Sequence, residues 1–145
     1  MRLKPLPLGF YKVLAILSPL AILILLATPG DIISAAIRWL SDLLSLKQVV
    51  SSSQFSNSDK VVHALLFFFC SYFVIRAQFF DRLHWRWIFA LLVFYAGFTE
   101  LLQFPIATRG ASWGDFVADT LGIVLGMLWT LAIRPNQVVF KASSA

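Results

Sequence analysis

WIFALLVFYAGFTELLQFPIATRGASWGDFVADTLGIVLGMLWTLAI, residues 87–133, holds two apolar stretches joined by a short loop, with their ionisable residues gathered beside that loop. The first covers about 87–104 and is ended by Pro105, which cannot continue a helix. The second covers about 115–133 and is ended by Arg134-Pro135. Each is close to the roughly 20 residues a helix needs to cross a hydrocarbon layer. The turn between them contains Pro105 and Gly110, so the pair reads as a helical hairpin.

Two further stretches have the same character. Residues 9–28 are apolar and stop at Pro29-Gly30, and residues 60–79 are apolar after a polar start. A cleavable leader is the competing reading of residues 9–28, but no small-x-small pattern follows them. Between these stretches Ile33, Ile37, Leu40 and Leu44 recur at helical spacing, with Ser34, Arg38, Ser41, Asp42 and Ser45 opposite. That pattern predicts an amphipathic helix over 31–46 lying on the membrane surface. Residues 48–58, rich in Ser, Asn and Gln, read as a loop.

The expected fold class is therefore an all-α integral membrane protein, with four transmembrane helices and one interfacial helix between the first two. A hydrophobic share of 59%, a charged share of 13% and a mean hydropathy of +0.82 agree with a single membrane domain over 1–145. The net charge of +5 is scattered among apolar segments and forms no stripe, which excludes a nucleic-acid partner. Cys70 is the only cysteine, so neither an internal disulfide nor a thiolate cluster can form.

Charge distribution predicts orientation. Arg2, Lys4, Lys12, Arg76, Arg82, Arg86, Arg134 and Lys141 fall on one side, and Arg38, Lys47, Lys60 and Arg109 on the other. The richer side is expected to be cytoplasmic, placing both termini inside a bacterial inner (plasma) membrane. Six of the seven acids, Asp31, Asp42, Asp59, Glu100, Asp115 and Asp119, then lie at the outer side.

Those acids belong to coherent helical edges. Asp59 and His63 are four residues apart, Glu100 and Gln103 three, and Asp115 and Asp119 four, so each pair shares one face. The last edge continues into Gly122 and Gly126, a small-xxx-small pair that admits a second backbone, in this chain or in a partner helix. Bland explanations exist for some of these residues. Ser56-x-x-Asp59 and Ser112-x-x-Asp115 match capping boxes, Lys60 suits an interface, and Arg109 could offset Glu100 or Asp115. Asp119, His63 and Glu100 lie about a turn inside their spans, where an unpaired carboxylate costs about 2–3 kcal/mol or more. These three are the candidate catalytic residues; Asp59, Lys60, Gln103, Arg109 and Asp115 are the candidate binding residues.

The ordered set Asp59-Lys60-Val61-Val62-His63, Glu100-Leu101-Leu102-Gln103, Arg109, and Asp115-Phe116-Val117-Ala118-Asp119-Thr120-Leu121-Gly122 with Gly126 resembles the VanZ-like family of bacterial membrane proteins. The resemblance covers about 59–133, roughly half the chain. That family often carries Asn where this chain has Asp119. The resemblance implies a cell-envelope protein akin to a family associated with resistance to the glycopeptide teicoplanin.

Three classes of function fit the residues. In the first, the pocket binds or processes an envelope lipid or a lipid-linked cell-wall intermediate, with His63 as general acid or base in a catalytic version. In the second, it serves a small transporter or a proton- or cation-linked flippase. In the third, it is a non-catalytic interaction module for an envelope enzyme. No cofactor is expected; one His among several carboxylates makes Mg or Mn the minor alternative, ahead of Zn.

Overall fold

A computed structural model describes residues 6–43, 55–80, 83–106 and 110–133. Among them the chain forms five helices and no strand: α1 (Leu8–Ala27), α2 (Gly30–Leu43), α3 (Phe55–Arg76), α4 (Trp85–Gln103) and α5 (Trp113–Ile133). Helices α1, α4 and α5 are long and apolar enough to cross a membrane. At 1.5 Å per residue they run roughly 28–32 Å, matching a hydrocarbon core of about 30 Å. Helix α3 is not among these three; it carries Asp59 and Lys60 near its start and Arg76 at its end. The sequence expectation of four spans is thus met for three helices.

The exterior explains the composition. Phe94, Leu101, Phe104, Ile16, Ile24 and Leu125 all point outward, a surface no water-soluble monomer would present. In a helix every backbone group is paired internally, so such a surface can face lipid. This is a membrane protein.

Helix α3 is the centre of the packing, lying against α1 and most extensively against α5, with α4 also on α5 and α1. Ile22 and Leu26 from α1, Phe67 and Cys70 from α3, Ile88, Leu92 and Ala96 from α4, and Ile123 from α5 form the main core. Helices α3 and α5 run in the same direction: Lys60 meets Asp115, Ala64 meets Gly122, and Phe68 and Ser71 meet Gly126. A side chain at Gly122 would overlap the Ala64 carbonyl, and one at Gly126 the Phe68 carbonyl and the Ser71 hydroxyl. The small-xxx-small pair therefore lets α3 of the same chain come into backbone contact.

Three buried hydroxyls are satisfied within their own helices. Thr99 donates to Ala96, Thr130 to Gly126 and Ser71 to Phe68, so these polar side chains sit in the bundle without an orphaned donor. Tyr95 instead reaches across, donating to the Pro19 carbonyl at 2.5 Å and tying α4 to α1 at mid-height. Tyr95→Phe should cost about 1 kcal/mol of stability, measured by unfolding in mixed micelles, since the hydroxyl's bonding to α1 is lost while the ring stays. An unchanged unfolding curve would show that the bond contributes nothing.

The ends differ from the sequence reading at a few residues. Helix α3 starts at Phe55, inside the stretch 48–58 read as loop, so Ser56 lies within its first turn and is not the cap that a capping box requires. The first turn tolerates Ser and Asn because its N–H groups have no intrahelical acceptor. Its far end closes earlier than 79, with Gln78 in the left-handed region at φ 57°. Helix α2 starts directly after Pro29, whose carbonyl accepts from Ile32 and Ile33. Its expected continuation to 46, Leu44 included, falls outside the described residues. At the end of the bundle away from the loop, Arg76 lies over the Tyr11 ring at 4.5 Å and donates to its hydroxyl at 3.1 Å.

Candidate functional site

The ends of three helices build one polar site. Helix α3 brings Asp59, Lys60 and His63, α4 ends with Glu100 and Gln103, and α5 begins with Asp115 and Asp119. The parallel run of α3 and α5 puts their N-terminal turns side by side, and α4, antiparallel to α5, delivers its C-terminal turn to the same level.

At the centre His63 Nδ1 lies 3.0 Å from Asp119 Oδ1 and 3.8 Å from Glu100 Oε1. The first distance is a hydrogen bond; the second is too long for one. His63 and Asp119 are fully buried and Glu100 is 6% exposed. A carboxylate beside Nδ1 favours the tautomer with its proton on that nitrogen, which leaves Nε2 as an acceptor. Glu100 is held by a backbone group, its Oε2 accepting from the Ser112 N–H at 2.8 Å.

The three residues share one pattern. Each has one polar atom placed by a neighbouring group and another that is buried with no hydrogen-bond partner among the described residues: His63 Nε2, Asp119 Oδ2 and Glu100 Oε1. Gln103 Nε2, one turn beyond Glu100, is also buried and unpartnered. Buried polar groups are nearly always satisfied, so four such atoms at one end of a bundle mark a place prepared for something else to bond. Fixing one atom of each side chain also fixes where the other is presented, which is how a binding or catalytic group is preorganised.

A second layer lies nearer the surface. Lys60 Nζ donates to Asp115 Oδ1 at 2.8 Å; the lysine side chain is 41% exposed and that of Asp115 10%. Lys60 also runs past Gly114, where an added Cβ would come within 2.9 Å of its Cε. Asp59, His63 and Asp115 offer ligand atoms within 4.8 Å of one another, so the outer layer joins the inner one through the imidazole.

All but one of the sequence-predicted site residues thus belong to this end of the bundle; Arg109 lies outside the described residues. Lys60 has an acidic partner across the helix interface and is more than interfacial decoration. The contribution the sequence did not reveal is the Ser112 N–H, a backbone donor whose direction depends on how the loop enters α5. Compared with family models, curated proteins and solved structures, the chain matches none.

Proposed function

We propose that this chain is a VanZ-like protein of the bacterial inner membrane whose polar site binds the head of an envelope lipid or a lipid-linked cell-wall intermediate. In this reading α3 is a fourth span. Its direct backbone contact with α5, at Gly122 and Gly126, supports this, because a helix locked along a spanning neighbour crosses with it. Both termini are cytoplasmic and the site lies near the external face, as the Lys and Arg distribution favours.

The observation that carries the reading is the set of half-satisfied buried groups, His63, Asp119 and Glu100, gathered at one end of a helical bundle. Leu101 and Phe104, 71% and 79% exposed, flank Glu100 and Gln103, so acyl chains can lie along α4 while a head group reaches inward. Glu100, Asp119 and Gln103 suit hydroxyl or amine groups of that head, and the half-exposed Lys60 suits a phosphate. In a catalytic form His63 Nε2 takes the proton of a hydroxyl, with Asp119 holding the ring in position. The resemblance connects such a site with glycopeptide resistance. A transport role fits less well, since Phe67, Cys70, Leu92 and Ile123 fill the core between the site and the opposite end.

Native mass spectrometry of the protein extracted from a bacterial membrane in mild detergent tests this. Wild type should retain a phosphorylated or glycosylated envelope lipid well above its share of the bulk lipid, and His63→Gln should lose that enrichment. Retained lipid of bulk composition in both proteins would refute the reading.

A further inference from the structure

We propose that His63, Glu100 and Asp119 bind one hard divalent cation of the Mn2+ and Mg2+ class. These residues come from three different helices, yet each offers a ligand atom within 4.8 Å of those of the other two, a spacing that one ion can draw together. All three are buried, and Glu100 Oε1, 3.8 Å from His63 Nδ1, has no hydrogen-bond partner among the described residues. The second observation is charge. Lys60, the cation of the outer layer, is engaged by Asp115, so no described lysine or arginine pairs with Glu100 or Asp119. Two buried carboxylates beside a neutral imidazole carry a formal charge of about −2, which a divalent ion neutralises.

The ligand chemistry selects the class. Two carboxylates and one imidazole form an oxygen-rich set without thiolate, suited to Mn2+ or Mg2+ and leaving coordination positions for water or a phosphate oxygen. The ion takes the place of the proton between His63 Nδ1 and Asp119 Oδ1, with Glu100 Oε1 as the third ligand, while the Ser112 N–H orients Glu100 from outside. The overlapping set Asp59, His63 and Asp115 is the weaker candidate, since Asp115 already holds Lys60. This proposal does not depend on which head group the site takes.

The test is Mn2+ titration of chelator-stripped, detergent-solubilised full-length protein, with free Mn2+ read by electron paramagnetic resonance and thermal unfolding followed in parallel. Wild type should bind one Mn2+ per chain and be stabilised by it, and excess Mg2+ should displace the ion. Glu100→Gln and Asp119→Asn should each weaken binding by about 100-fold or more, and Asp31→Asn, on α2, should leave it unchanged. Wild-type protein without a saturable Mn2+ site would overturn the proposal whether or not the variants fold. Folded Glu100→Gln and Asp119→Asn proteins that bind Mn2+ as wild type does would also overturn it.

Discussion

Gly122→Val should dismantle the site without touching any of its polar residues. The new Cβ would overlap the Ala64 carbonyl, and that oxygen belongs to a helix backbone and cannot rotate away. Helices α3 and α5 must separate, breaking the contacts of His63 with Asp119 and of Lys60 with Asp115, which span that interface. Overpacking a well-filled interior costs roughly 1–3 kcal/mol, and a clash against backbone belongs at or above the upper end. Unfolding in mixed micelles should show that loss, with a similar one for Gly126→Val. Gly114→Ala should be mild, because its nearest neighbour is the mobile end of Lys60. Equal stability of Gly122→Val and wild type would mean that α3 does not lie on α5 as described.

The second large effect is functional. Replacing Glu100 or Asp119 by alanine should abolish lipid enrichment and any resistance phenotype while leaving a folded protein. Loss of Asp119 strands the His63 Nδ1–H, and loss of Glu100 strands the Ser112 N–H, each costing about 1–3 kcal/mol. Removing a desolvated carboxylate offsets part of that, so the bundle should survive. A folded Asp119→Ala and a folded Glu100→Ala that both keep wild-type lipid enrichment would separate the cluster from function.

Much of this arrangement is legible in the sequence, for identifiable reasons. The extents of α1, α4 and α5 follow from apolar length, and the ends of α1 and α4 from Pro29 and Pro105, since proline punctuates helices whatever surrounds it. The acid-bearing edges follow from helical periodicity, and a close backbone approach to α5 from the spacing of Gly122 and Gly126, although not that α3 is the helix that makes it. What stays hidden depends on tertiary geometry. The Ser-Asn tract before Asp59 reads as a loop, yet it begins α3, because such residues serve as well in a first helical turn as outside one. The partner of Glu100 is a backbone N–H, which no residue type announces. Lys60 and Asp115, 55 residues apart, pair only because two parallel helices start at the same height.

A double-mutant cycle on His63→Ala and Asp119→Ala, read as unfolding free energy in mixed micelles, tests the cluster most directly. If imidazole and carboxylate touch within the bundle, the two losses will fall short of additivity by about 0.5–3 kcal/mol, because either substitution alone already breaks the shared bond. Strictly additive losses would place the two side chains apart and contradict the site.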